Sequence, residues 1–127
     1  MIMKRMKKPQ IEVVDFLLNA CHHSDDADLG VLLRLCVTDP NHYRVYYFED
    51  NDEIVGSLLA KIYRPIFYIW LAGAKEFFTW FIDGIPFLDE EAKLLGCNKL
   101  KFYGRTGWIK KKLHGWKPSS VEFVREI

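Results

Sequence analysis

Lys93-Leu94-Leu95-Gly96-Cys97-Asn98-Lys99-Leu100-Lys101-Phe102-Tyr103-Gly104-Arg105-Thr106-Gly107-Trp108-Ile109-Lys110-Lys111-Lys112-Leu113-His114-Gly115-Trp116 is the stretch on which the fold turns. It reads as the end of a helix, a turn, a strand, a glycine-flanked loop, a short helix and a second turn. Leu94 and Leu95 finish an apolar helical run, and Gly96 supplies the left-handed stop that a residue without Cβ adopts at low cost. Leu100 and Phe102 alternate with Lys99 and Lys101, the period-2 signature of a strand. Gly104 and Gly107 bracket Arg105 and free the backbone to turn. Trp108 to Leu113 can form one or two helical turns, which Gly115 ends.

Working outward, Ile66 to Leu71 is a nearly continuous apolar run, as expected of a strand buried on both faces. Ala72-Gly73-Ala74 then reads as a turn into a helical segment, Lys75 to Leu95. Gly84 and Pro86 inside it predict a kink or a junction between two helices. A strand, a helix and a further strand in succession require a crossover, and so at least one parallel pair. Before them, Tyr43 to Phe48 and Ile54 to Tyr63 flank the polar turn Glu49-Asp50-Asn51-Asp52-Glu53 and read as an antiparallel pair. Gly56 marks a bulge or a close backbone approach.

Nearer the N-terminus, Pro9 suits a first helical turn. Ile11, Val14, Leu17, Leu18 and Cys21 share one helical face. Ser24, Asp25 or Asp26 can cap a second helix, with face Leu29, Leu32, Leu33 and Cys36, that stops at Asp39-Pro40-Asn41. Met1 to Lys8 is a basic arm or an initial strand, and Val121 to Ile127 a last strand. The order is α-α-β-β-β-α-β-α-β. It predicts one α/β (α+β) domain over residues 1–127, with a mixed, mostly antiparallel central sheet flanked by helices.

Half of the 127 residues are hydrophobic and 15% aromatic, enough for a sizeable core. With 18 basic against 17 acidic residues the formal charge is +1, so bulk charge gives no push towards nucleic acid. No stretch approaches the ~20 apolar residues of a membrane span. Cys21, Cys36 and Cys97 are odd in number and widely spaced, which favours thiols in a reducing compartment over a disulfide framework. With no targeting segment in view, the cytoplasm is the expected setting. Cys21, His22, His23 and Asp25 are the one cluster with metal-ligand chemistry. Adjacent histidines on a helix point about 100° apart, so no metal site is expected there.

The pattern from Leu88 to Trp116 (helix with Ala92, Leu95-Gly96-Cys97, strand, Gly104-Arg105-x-Gly107-Trp108, helix, Gly115-Trp116) resembles small GNAT-like proteins of tailed phages and prophages. The element order resembles the GNAT superfamily of acyl-CoA-dependent N-acetyltransferases over nearly the whole chain. That resemblance implies acetyl-CoA as cofactor, an amine as substrate, and direct attack of the amine on the thioester. It also implies where the cofactor sits. The strand ending at Leu71 would splay from the strand Lys99 to Tyr103, and backbone groups of Ile69, Trp70 and Leu71 would bond the pantetheine arm. The loop onward from Leu71, with Gly73, Ala74 and Lys75, would cradle the pyrophosphate at a helix N-terminus. Arg105 would add a planar cationic fork for a phosphate, or else would bond loop carbonyls as a structural residue.

Two departures from the family pattern keep a second reading open. The loop carries one glycine, where the family usually has a Gln/Arg-x-x-Gly-x-Gly/Ala run. The last helix, Ile109 to Leu113, carries lysines where many members have a tyrosine acting as general acid. The rival expectation is a catalytically inactive GNAT-fold component of a phage particle, or a protein-binding module. No catalytic residue is singled out by spacing: Asp50, Asp52, Glu53, Asp83, Asp89, Glu90 and His114 are all available as general base. Acceptor, partner and oligomeric state are not legible.

Overall fold

The computed structural model describes the backbone of residues 2–8, 10–21, 28–74, 77–103, 117–119 and 122–127, and side chains within these segments except at 19–21, 77–81, 103, 117–119 and 122–123. The described residues form the strands β1 (Ile2–Arg5), β2 (Tyr43–Asp50), β3 (Glu53–Tyr63), β4 (Ile66–Ala74), β5 (Lys99–Tyr103), β6 (Lys117–Ser119) and β7 (Glu122–Glu126). They also form the helices α1 (Ile11–Cys21), α2 (Leu29–Thr38) and α3 (Phe77–Leu94). The strands make one sheet in the order β1-β2-β3-β4-β5-β7-β6. Every neighbouring pair is antiparallel except β4 and β5, which are parallel as the crossover through α3 requires. The mixed, mostly antiparallel sheet predicted from the sequence is the sheet observed.

Two cores lie on opposite faces of this sheet. On the α3 side, Tyr46, Phe48, Leu58, Ile62, Phe67 and Leu100 pack against Ile85, Leu88 and Ala92. Positions 85, 88 and 92 form the i, i+3, i+7 stripe by which a helix faces a sheet. On the other side, Val45, Tyr47, Leu59 and Leu71 pack against Val13 and Leu17 of α1 and Leu29 and Leu32 of α2. The buried face of α1 is therefore rotated from the predicted one. Val13 and Leu17 are fully buried, whereas Ile11 is 77% and Leu18 48% exposed. The sheet claims the narrower stripe that it can reach. The cap of α2 also moves: Asp28, rather than Ser24, Asp25 or Asp26, accepts from the Val31 amide.

α3 is one helix, not two, and carries Pro86 within it. Pro86 lies on the exposed side, where water can take the carbonyl that its missing N–H leaves unbonded. The helix ends as the sequence predicts. Gly96 has φ +79°, its N–H donates to the Lys93 carbonyl at 3.0 Å, and the Cys97 N–H donates to the Ala92 carbonyl at 2.8 Å. These are the two bonds of a Schellman stop. Arg64 Nε adds a bond to the Leu95 carbonyl at 2.6 Å.

Two single-residue bulges shape the middle of the sheet. Phe48 pairs with Gly56 and Glu49 with Ile54, which leaves Val55 as the extra residue of β3. Leu59 pairs with Leu71 and Ala60 with Ile69, which leaves Trp70 as the extra residue of β4. The second bulge reverses the strand's facing. Phe67 and Ile69 enter the α3-side core, while Trp70 and Leu71 both pack on the α1–α2 side. Of the two readings of Met1 to Lys8, arm or strand, the structure shows a strand over Ile2–Arg5. The predicted helix from Trp108 to Leu113 lies outside the described residues, and the predicted last strand is resolved as β7, preceded by β6.

Candidate functional site

The parallel ladder between β4 and β5 has four rungs: Ile66 with Lys99, Phe67 with Leu100, Tyr68 with Lys101, and Ile69 with Phe102. It stops there, yet both strands continue. β4 runs on to Ala74, held by β3, and β5 to Tyr103, held by β7. The bulge at Trp70 coincides with the parting, and a bulge bends its strand and raises its twist. From Trp70 onward the β5-facing edge of β4 has no strand partner among the described residues. Backbone N–H and C=O groups in such a gap must find another partner. The opening beside β4 beyond the last rung, between β4 and the end of β5, is the candidate site.

Trp70 stands immediately past the last rung. Its ring is partly buried, and the Lys61 ammonium lies 3.5 Å from its centroid, a cation–π contact. Lys61 also lies 5.6 Å from the centroid of Tyr63. Sequence reasoning passed over Lys61. The available signal was one cation inside an apolar strand, opposite a strand carrying Trp70.

The structure distributes the expected site residues unevenly. Ile69 forms the last rung, and its side chain belongs to the α3-side core. Leu71 is equally buried on the opposite face. Ile69, Trp70 and Leu71 thus offer backbone at the opening. Gly73 and Ala74 do not form the expected loop; they are the last two residues of β4 and pair with Ser57 and Gly56. A Cβ on Gly73 would stand 2.5 Å from the Phe16 carbonyl oxygen of α1, and a Cβ on Gly56 would stand 2.5 Å from that of Ala74. The lack of side chain at Gly73 therefore lets α1 approach the sheet, a packing role that the local pattern Ala-Gly-Ala does not distinguish from a turn. Lys75 and Arg105 lie outside the described residues, as do Gly104, Gly107 and His114.

The described ionic groups nearest to having a chemical role are held elsewhere. Asp39 bonds His42 at 2.9 Å, Arg125 grips Asp89 with Nη2 at 2.9 Å and Nε at 3.1 Å, and Tyr46 donates to Glu91 at 2.9 Å. Burial, and then the Glu91 carboxylate, push the Tyr46 hydroxyl well above its ordinary range. That pair lies under α3, on the face away from α1 and α2. Among the described residues no group of three metal-binding side chains comes together, Cys36 and Cys97 are free thiols, and no helix is long and apolar enough to cross a membrane.

Solved acetyltransferases share this architecture. This chain matches aminoglycoside 6'-acetyltransferase type Ii with a TM-score of 0.64 at 13% identity, over 99% of this chain and 97% of that one. It has the GNAT fold. It also matches a Bacillus subtilis acetyltransferase solved in complex with CoA, at TM-score 0.57 and 16% identity over 98% and 97% of the two chains. A GNAT family acetyltransferase from Elizabethkingia anophelis with acetyl-CoA bound gives TM-score 0.59 and 16% identity over 99% and 97%. No protein-family model matches the sequence, and no curated protein matches it significantly. The likeness extends to the fold. The side chains around the opening are this chain's own.

Proposed function

We propose that this chain binds acetyl-CoA in the opening between β4 and β5 and transfers the acetyl group to an amine. The observation that carries this reading is the ladder that ends at Ile69 and Phe102 while both strands run on. Among the described residues no strand meets the β5-facing edge of β4 from Trp70 onward, which suits the amides of a pantetheine arm. Acetyl-CoA, when bound, supplies an acyl group activated as a thioester. The Lys61–Trp70 stack holds the indole at the opening and so fixes one wall. Lys75 is the cation expected to meet the pyrophosphate, and Arg105 a phosphate. The general base is not assigned, because Glu91, Asp89 and Asp39 are each engaged away from the opening.

The second reading is an inactive GNAT-fold component of a phage particle. One specific observation favours it. Gly73, the single glycine of the expected pyrophosphate loop, is taken up by packing against α1. The phage or prophage origin itself rests on the resemblance of Leu88 to Trp116, and active enzyme would reside in the host cytoplasm.

Thermal unfolding with acetyl-CoA separates the two. A ligand at 100 times its Kd stabilises the folded state by ~2.7 kcal/mol. A saturable rise in Tm with acetyl-CoA, together with CoA thiol release when a panel of amines is added, supports the enzyme. No rise at millimolar acetyl-CoA removes it.

A further inference from the structure

The outer edge of β1 forms the border of the sheet, three strands away from β4. Its backbone alternation can be assigned. Met6 N–H donates to the Val45 carbonyl at 2.8 Å, and β1 pairs antiparallel with β2 in the register Lys4 to Tyr47 and Arg5 to Tyr46. In an antiparallel pair the doubly bonded positions alternate. Residues 2, 4 and 6 therefore turn their N–H and C=O groups to β2, and Met3 and Arg5 turn theirs outward. Among the described residues no strand takes these four groups.

A groove of about 590 Å³ runs along this edge. Met3 and Arg5 line it from β1, Phe87 and Glu91 from α3, and Lys7 and Lys8 from the segment that follows β1. Its charges do not cancel. Glu91 accepts from the buried Tyr46 hydroxyl and has Arg44 Nη1 at 3.9 Å. Lys4, also in the groove, is paired with Glu49 at 2.9 Å. Arg5, Lys7 and Lys8 have no ion-pair partner among the described residues, and Lys7 and Lys8 are exposed.

We infer that this edge binds an acidic, extended polypeptide segment, which adds to β1 as an eighth strand. Two features select that occupant. Arg5 is partly exposed and Met3 only 6%, so the reachable edge centres on Arg5, which offers an N–H and a C=O side by side; a second backbone matches both, and a phosphodiester chain, lacking N–H groups, does not. Arg5, Lys7 and Lys8, uncompensated among the described residues, select for carboxylates. With β1 four residues long, the added strand has about four residues at ~3.3 Å each. Lys4, exposed on this edge strand, also discourages indiscriminate pairing, so the partner must bring complementary charge. This inference is independent of acetyl transfer.

The test is fluorescence anisotropy with a fluorescein-labelled hexapeptide of alternating glutamate and valine. Saturable binding is expected. It should weaken about tenfold in the double variant Lys7→Glu, Lys8→Glu, since two exposed ion pairs become repulsive. Both positions are exposed, and an unchanged circular dichroism spectrum shows that the variant is folded. A peptide N-methylated on alternate amides should lose binding while keeping every charge. Equal binding of that peptide overturns strand addition. Equal binding of a lysine–valine peptide overturns the charge argument. Tighter binding of labelled oligothymidine replaces the peptide by nucleic acid. A dimer by sedimentation that the double variant dissociates makes the occupant a second copy. Absence of saturation at millimolar peptide overturns the inference outright.

Discussion

Ser57 and Gly73 face each other across β3 and β4, and α1 rests on both. The buried Ser57 hydroxyl donates to the Val13 carbonyl at 2.8 Å. One helical turn on, the Phe16 carbonyl stands where a side chain on Gly73 would be. A hydroxyl that bonds the helix and a hydrogen that lets it close together set the height of α1 above the sheet.

Gly73→Ala is therefore expected to destabilise the fold by about 1–3 kcal/mol, because a backbone carbonyl cannot swing aside as a side chain can. Urea unfolding of the variant measures it. An unchanged midpoint with lost acetyl-CoA binding would return Gly73 to the cofactor and overturn the packing role.

Ser57→Ala is expected to cost about 1 kcal/mol, the net value of one buried hydrogen bond. Ser57→Val, larger and without the donor, should cost more than Ser57→Ala. Equal midpoints for Ser57→Ala and the parent would show that the bond contributes nothing.

Tyr46→Phe keeps the ring contacts with Phe67 and Phe87, at 6.1 and 6.0 Å between centroids, and removes the donor to Glu91. The carboxylate is left with Arg44 at 3.9 Å. A loss of about 1–3 kcal/mol is expected in the same measurement. Tyr46→Ala also empties the site of a ring and should cost about 3–5 kcal/mol.

Stability should fall on the alkaline side. Burial raises the Cys36 thiol from 9.0 to about 11, and burial with the Glu91 carboxylate raises Tyr46 above 10.0. Both groups hold their protons more tightly folded than unfolded. Their contribution is complete below the unfolded values and is lost as pH rises through the folded ones. Thermal unfolding between pH 8 and 11 should show a falling Tm. The variant Cys36→Ala should flatten the part of the decline that begins at pH 9.

Sequence legibility followed locality. Gly96 was readable because a helix stop depends on a few adjacent residues, and Lys99 to Tyr103 because its alternation is unbroken. The antiparallel pair joined at Asp50 to Glu53 was readable for the same reason. Gly73 was misread, because the reason for its missing side chain, Phe16, lies 57 positions earlier. Gly56 did mark the first bulge, whose extra residue is its neighbour Val55, and a close approach to Ala74. Trp70 leaves no mark in the apolar run that contains it, and its surplus exists only by comparison with the strand opposite. The Tyr46–Glu91 bond spans 45 residues and joins a strand to a helix, a distance over which composition says nothing.

The surplus residue at Trp70 makes β4 a strand of two phases. Up to Ile69 its odd-numbered positions feed one core, and from Leu71 they feed the other. Excising Trp70 would make Ile69 and Leu71 neighbours on opposite faces, the alternation of an unbroken ladder, so the flanking side chains would each keep their layer. What the surplus residue supplies is therefore curvature rather than packing, and shortening the strand by one codon there would act on the opening beside β5 before it acted on stability.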